Sequence, residues 1–389
     1  MLKKIAVICV LFALAVPALT LFSFAENVSA VSVGGVSAKA YCLLDADLYE
    51  VIDEKNSSLR LGMASTTKIM TALVAIESGR LDQTVEVDKR AVGTEGSSVY
   101  LEDKERLTLC DLVYALMLAS ANDAAEAIAY YLCGSIEDFT RLMNERAREM
   151  GLENTNFTNP HGLSDSEHYT TTKDLAKLGA KALENEAFKE IVSTRSYSFL
   201  SDKTRRSITN HNKLLAFYSG CIGVKTGFTK KDGRCLVSAA ERDGKRLVAV
   251  TLSAPDDWND HKRLLDFGFS LYEKKELCRS GEYSFYIHTP NGAVKRILAE
   301  NTDRLVLSVR RDAEIKAYTE LDRIYYREVN KGDTVGYTVF KADGKEIARV
   351  PVFALQSSGT VKVKKSLLER IWESVSELFK RISEGLHLL

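Results

Sequence analysis

Three short strings stand in order along this chain: Ser65-Thr66-Thr67-Lys68, Ser120-Ala121-Asn122 and Lys225-Thr226-Gly227. Between them they supply a hydroxyl nucleophile, an amine base, a second hydroxyl able to pass a proton, an amide with both donor and acceptor, and an ammonium beside a hydroxyl. That set is the equipment for attacking an amide bond next to a free carboxylate. Taken singly, each string has an ordinary explanation: a helix cap with a solvated lysine, a helix-to-helix turn, a strand end with a tight turn. Their occurrence together, in this order and each in a fitting local context, argues for the chemistry.

The apolar pattern places Ser65 at the start of a helix running to Glu77, with Ile69, Met70, Leu73 and Ile76 recurring at three and four and Gly79 ending it. Ser65 then sits at the positive end of the helix dipole, and Lys68, one turn on, projects on the same face. A charged lysine is a poor base; burial and a second cation, for which Lys225 is the candidate, would lower its pKa. Ser120 can relay a proton between Lys68 and a leaving amine, and the Asn122 amide can grip a peptide backbone. Lys225 and Thr226, on a strand expected over 222–228, offer an ammonium and a hydroxyl to a carboxylate. Gly227 lets a substrate backbone come close, and the N–H groups of Ser65 and Phe228 can form an oxyanion hole.

These residues need a scaffold, and the rest of the sequence outlines one. A hairpin is expected over 40–51, with a polar turn at Asp45-Ala46-Asp47. Helices follow: one capped by Thr108 with Asp111 at its third position, an alanine-rich one over 124–132, one capped by Ser135 and stopped by Gly151, and one capped by Thr172 and running to Leu183. Strands over 235–240 and 246–253 flank Asp243-Gly244, a hairpin signal, and a helix returns over 258–272. Helices between an early hairpin and late strands imply an α+β fold, one antiparallel sheet completed by distant strands with helices packed on it. From Leu277 to Leu355 short strands alternate with turns, the pattern of a small all-β domain, and a polar linker follows over 356–360.

The two ends differ from the body. Lys3 and Lys4 precede an almost wholly apolar run from Ile5 to Phe22, and Ser23-Phe24-Ala25 offers small residues where a signal peptidase reads. We expect cleavage after Ala25, an uncleaved membrane helix being the alternative; either way the body faces the outer side of the cytoplasmic membrane. At the other end Leu367, Leu368, Ile371, Val375, Leu378, Phe379, Ile382 and Leu386 recur at helical spacing behind Lys362, Lys364 and Lys365. That suits a helix lying in a membrane interface with the lysines near anionic headgroups, the alternatives being docking on the β domain or pairing with a copy of itself. The expected organisation is thus a signal peptide over 1–25, a main domain over 36–275, a β-rich domain over 277–355 and a membrane-associating amphipathic helix over 362–389.

Composition narrows the classes. Lys+Arg and Asp+Glu are both 53, so the chain is neutral overall and nothing points to nucleic acid. Of seven cysteines, Cys9 lies in the apolar leader, and Cys42, Cys110, Cys133, Cys221, Cys235 and Cys278 are scattered without a Cys-x-x-Cys pair. Metal binding is not indicated; most are expected as buried thiols, with one disulfide possible in an oxidising compartment.

The residues Ala64 to Thr71, Ser120-Ala121-Asn122-Asp123-Ala124-Ala125, Asn159-Pro160-His161-Gly162-Leu163 and Gly223 to Thr229 resemble the D-alanyl-D-alanine carboxypeptidases, low-molecular-mass penicillin-binding proteins of bacterial cell walls. The resemblance spans about residues 36–275, and the β domain and terminal helix match the family's usual layout. It implies a serine acyl-enzyme mechanism with a β-lactamase/transpeptidase-like fold. Ser65 would attack the bond between the last two D-alanines of a peptidoglycan stem peptide, with Lys68 as base and Ser120 assisting transfer to the departing D-alanine. Lys225 and Thr226 would hold the terminal carboxylate, and β-lactam antibiotics would trap Ser65 as an ester. No metal or organic cofactor is implied. Three departures stand out: Leu48-Tyr49 where many members carry a Thr-Gly-type turn, His211 where another residue is common, and Asp256-Asp257-Trp258-Asn259 where some members carry an arginine that helps hold the carboxylate.

Other readings use the same strings. A class A β-lactamase would need a glutamate activating the deacylating water, and Glu167 lacks the following Leu-Asn. A penicillin sensor would be acylated without turning over peptide. A D,D-endopeptidase or transpeptidase would differ only in acceptor.

Overall fold

The computed structural model describes residues 33–360 and 367–386. The signal-peptide reading, Cys9, Lys362, Lys364 and Lys365 lie outside the described residues. The described residues form two compact units, one of 33–218, 223–238 and 248–264, the other of 219–222, 239–247 and 265 onward.

The first unit carries strands β1 (Ala40–Asp45), β2 (Glu50–Lys55), β3 (Thr84–Glu86), β4 (Arg106–Thr108), β5 (Ser196–Leu200) and β6 (Arg205–Thr209), and most of β7 (Cys221–Thr229), β8 (Gly233–Arg242) and β9 (Lys245–Leu252). The main sheet runs β2-β1-β9-β8-β7, so the early hairpin is completed by strands some 200 residues later, as the sequence implied. All six residues of β1 are buried, which is why Tyr41-Cys42-Leu43-Leu44 reads as a continuous apolar run rather than an alternation. The hairpin turn is longer than expected. The Asp45 carboxylate accepts from the N–H groups of Asp47 and Leu48, and Tyr49 takes a left-handed φ of 57° before β2 begins at Glu50.

At the centre lies the helix Lys68–Glu77, with nine of its ten residues buried against the helices Leu109–Leu118, Asn122–Cys133, Ile136–Glu149 and Thr172–Ala182. Burying Ile69, Met70, Leu73 and Ile76 contributes roughly 1.5–3 kcal/mol each, ample to hold a helix whose first residue is a lysine. Thr108 forms a reciprocal capping box with Asp111, and the Ser135 hydroxyl accepts from the Asp138 N–H. The next cap is Thr171, not Thr172: the Thr171 hydroxyl accepts from the Asp174 N–H three residues on, the spacing a cap requires. The late helix is Asp257–Ser270, and Tyr272 opens a strand instead of closing the helix. The helix Glu186–Ser193 and the hairpin β5–β6 had no clear sequence signature, since Ser196-Tyr197-Ser198-Phe199 alternates weakly.

The second unit contains β10 (Tyr272–Cys278), β11 (Ser284–His288), β12 (Arg296–Asn301), β13 (Leu305–Arg310), β14 (Ile315–Leu321), β15 (Thr334–Ala342) and β16 (Lys345–Ala354). β10 pairs with β13, and a five-stranded sheet runs β11-β12-β16-β15-β14 over a core that includes Ile287, Ile297, Val335 and Val352. The helix Leu367–Leu386 follows; Leu368, Ile371, Trp372 and Val375 are exposed on it. No helix among the described residues is long and apolar enough to cross a membrane. The six described cysteines are all free, and burial pushes the Cys42 and Cys235 thiols up to about 12, where they are unreactive.

Candidate active site

Ser65 lies in a single 3-10 turn, Ala64–Thr67, and the α-helix begins only at Lys68, three residues later than the apolar pattern suggested. Neither helical segment is capped by a side chain, so Ser65 is not a capping serine. Its Oγ is 3.0 Å from Lys68 Nζ. Ala64 and Ser120 both hold left-handed backbone (φ 45° and 60°), a conformation costing about 1–3 kcal/mol outside glycine and concentrated at functional sites.

Lys68 is completely buried. Besides Ser65, its Nζ meets Asn122 Oδ1 at 2.7 Å and the His161 carbonyl oxygen at 2.6 Å. Burial first, and then the nearby Lys225 ammonium, hold its pKa well below the usual lysine range, while Asp123 opposes. A neutral amine has two N–H donors and one lone pair. The Asn122 oxygen and the His161 carbonyl can only accept, so they take the two N–H groups and the lone pair is left for the Ser65 hydroxyl. The Asn122 orientation is fixed on its other side, where Nδ2 donates to the Glu95 carbonyl at 2.5 Å.

Lys225 is also buried, donating to the Thr226 carbonyl at 2.9 Å, and burial pushes it down to about 7. β7 passes so close to the Ser65 turn that a Cβ at Gly227 would lie 2.9 Å from the Ser65 nitrogen and 3.1 Å from that of Thr66. Only glycine fits there, and the following residue, Phe228, leaves its side chain 65% exposed. Ser120 is buried in the turn before Asn122, but the Lys68 amine spends its hydrogen bonds on Ser65, Asn122 and His161 rather than on Ser120.

The first two strings therefore meet at the Lys68 amine, and the third lies against Ser65 through Gly227 and acts on Lys68 through the charge of Lys225. Other contributors stood in the sequence only within the resembling motifs, with no role assigned. Asp123, fully buried, accepts from the Ser98 hydroxyl and the N–H groups of Val99 and Leu101, which holds the loop after Gly93 on the Ser120 turn. His161 serves Lys68 through its backbone; its ring accepts the Leu163 N–H and stands 3.4 Å from Glu126, and burial lowers its pKa. The available signal was turn chemistry: Asn159 Oδ1 accepts from Gly162 N–H, shaping the Asn-Pro-His-Gly loop. His211 keeps much of its surface in contact with solvent, and partial desolvation and then the Lys225 charge lower its pKa. Asp257 is paired with Arg234 at 3.6 Å. Among the described residues no group of His, Cys, Asp and Glu is arranged to hold a metal.

Comparison with known proteins gives a consistent result. Residues 27–256 match the family model described as D-alanyl-D-alanine carboxypeptidase. The chain is 32% identical over 330 residues to D-alanyl-D-alanine carboxypeptidase DacF of Bacillus subtilis, covering 82% of this chain and 85% of that protein. It is 30% identical over 373 residues to DacC of Escherichia coli, covering 87% and 88%. Among solved structures it is similar to penicillin binding protein 5 from Haemophilus influenzae, with a TM-score of 0.60, 28% identity, and coverage of 84% of this chain and 98% of that one.

Proposed function

The chain belongs to the D-alanyl-D-alanine carboxypeptidase family of serine peptidases, and from that premise we propose how its residues divide the work on a peptidoglycan stem peptide ending in D-Ala-D-Ala. Neutral Lys68 takes the Ser65 proton as Oγ attacks the carbonyl of the penultimate D-alanine. The N–H groups of Ser65 and Phe228 receive the oxyanion. The proton then passes from Lys68 through Ser120 to the departing D-alanine amine, which leaves an ester on Ser65. Water adds to that ester, with Lys68 again as base, and releases the shortened peptide. Lys225 and Thr226 hold the terminal carboxylate, and Asn122 both orients Lys68 and meets the peptide backbone. β-Lactams, which offer a strained amide beside a carboxylate, acylate the same hydroxyl.

The observation that carries this reading is the three-way contact of a fully buried, pKa-depressed Lys68 with Ser65, Asn122 and the His161 carbonyl. The test is D-alanine release from diacetyl-Lys-D-Ala-D-Ala by the wild type and by Ser65→Ala. Release by the wild type alone is expected. Equal release by both proteins would remove Ser65 from the mechanism, and penicillin labelling without release would make the protein a sensor. Product analysis with an amine acceptor separates hydrolysis from transpeptidation.

We also propose that residues 36–275 form the catalytic domain and 277–355 a separate β domain, with a leader over 1–25 directing the chain outside the cytoplasmic membrane. The 362–389 segment then holds the protein at the membrane surface. The exposed Leu368, Ile371, Trp372 and Val375 support the last point. Loss of co-sedimentation with anionic vesicles on deleting residues 362–389 tests it.

A further inference from the structure

Behind the nucleophile turn lies a chain of hydrogen bonds that the mechanism above does not use. The Thr67 hydroxyl, fully buried, donates to the Ala64 carbonyl at 2.8 Å and meets His168 Nε2 at 2.7 Å. The tautomer of His168 is settled by its other nitrogen: Nδ1 accepts the Thr158 N–H at 3.0 Å, so in the neutral ring the proton sits on Nε2 and donates to Thr67. The direction is therefore unambiguous, from His168 Nε2–H to the Thr67 oxygen, and from the Thr67 O–H to the Ala64 oxygen. Burial, aided by His161, pushes the His168 pKa down to about 4, so the neutral ring prevails at ordinary pH.

The Ala64 carbonyl belongs to the same peptide plane as the Ser65 N–H. In a trans peptide the two point in opposite directions. Whatever fixes the carbonyl on one side fixes the N–H on the other. Two further features bear on this plane. A Cβ at Gly162 would lie 1.9 Å from the Ala64 oxygen and 2.9 Å from the Ser65 nitrogen, so the Asn159–Leu163 loop packs closely along this peptide. The Ser65 N–H itself donates to no acceptor among the described residues, and its nitrogen lies against Gly227 of β7. An unpaired N–H beside the nucleophile, on a plane turned by a left-handed Ala64, needs an outside restraint to stay in place.

We infer that Thr67 and His168 are positioning residues for the oxyanion-binding N–H of Ser65, acting through the Ala64 carbonyl. Neither touches substrate. Their effect falls on the step in which charge develops on the carbonyl oxygen, and not on substrate capture. This inference rests on Ser65 being the nucleophile, and the test keeps the two apart.

The experiment measures the acylation rate constant with a fluorescent penicillin, and kcat and KM for diacetyl-Lys-D-Ala-D-Ala, for the wild type, Ser65→Ala, Thr67→Val, Thr67→Ser, His168→Phe and His168→Gln. Valine matches threonine in shape but lacks the hydroxyl. Since losing an oxyanion donor outright costs about 10²–10³-fold, a misaligned one should lower acylation and kcat by roughly 10–100-fold in Thr67→Val, with KM nearly unchanged. Thr67→Ser, which keeps the hydroxyl, restores the rate to within about threefold of the wild type. His168→Gln, which keeps a donor at the Nε2 position, outperforms His168→Phe. Unchanged acylation in Thr67→Val, an equal loss in Thr67→Ser, or a change confined to KM overturns the inference. If Thr67→Val does not fold, the His168 pair decides it: equal rates in the Gln and Phe variants overturn it. A wild type that fails to acylate, or a Ser65→Ala that still does, refutes the nucleophile assignment instead.

Discussion

The first unit buries side chains that carry charge; among the described residues from Leu265 onward, the second does not. Around Ser65, the side chains of Lys68, Lys225, Asp123, His161 and His168 are all buried. In the β unit from Leu265 on, the buried polar side chains are the neutral Thr289, Asn301, Thr338 and Ser358, and charged pairs such as Arg310–Asp312 and Arg349–Glu320 lie at the surface. Burying a lysine costs stability that a hydrophobic residue would not. The first unit accepts that cost where a shifted pKa is the working property. The second folds around an apolar core that includes Ile287, Ile297 and Val352, with its charged pairs left in water.

Three measurements put that contrast to the test. Lys68 should show the greatest change. Lys68→Met should lower β-lactam acylation about 10²–10⁴-fold, the usual worth of a general base, and stopped-flow or labelling rates check it. A loss under about tenfold would mean the buried amine is structural.

Next is Lys225. Unfolded, it keeps its proton to the ordinary lysine range; folded, it releases it at about 7. Between those values the unfolded chain binds more protons, so stability rises with pH over that window and is lost as pH falls toward 7. Lys225→Met should therefore gain on the order of a few kcal/mol at pH 7 in denaturant unfolding, while kcat/KM drops through the lost carboxylate contact. In the free enzyme the ammonium needed by the substrate disappears as pH rises, so the alkaline limb of kcat/KM should lie near 7, far below an ordinary lysine. In kcat the limb should move up, because a bound carboxylate favours the charged amine. A limb at the same pH in both profiles would show that Lys225 does not meet the carboxylate.

The smallest effect is in the β unit. Arg349→Ala removes surface pairs with Glu320 at 3.0 Å and Glu346 at 3.1 Å. It should leave the denaturant midpoint almost unmoved, because exposed pairs are screened by solvent and salt, with peptidase activity unchanged. A tenfold loss of activity would show that the division between a chemical unit and a purely structural one is wrong.

Much of this layout is written in local residue patterns. Thr108 with Asp111 and Ser135 with Asp138 announce their helices because a cap is a contact over three residues. Asp243-Gly244 announces its hairpin in the same way, and both residues take left-handed φ. Tyr49 shows the limit. It occupies a left-handed position in the early hairpin that a glycine would fill without strain, and its hydroxyl bonds to Glu184, a partner 135 residues away that no local pattern predicts. The Ser65 helix start was misplaced for a related reason. Apolar spacing is the same for a 3-10 turn leading into an α-helix as for the helix itself, and the left-handed Ala64 leaves no mark in residue type.

The order of residues fixes which functional groups the protein owns: Ser65, Lys68, Ser120, Asn122, Lys225 and the glycine at 227 that allows close approach. Packing adds that Lys68 is buried with its pKa lowered, that a carbonyl of His161 completes its shell, and that Thr67 and His168 bond behind the Ser65 turn. Backbone carbonyls and N–H groups belong to every residue and so carry no signature in the sequence. A pKa is set by desolvation and by charges through space, and both exist only once distant segments are packed together.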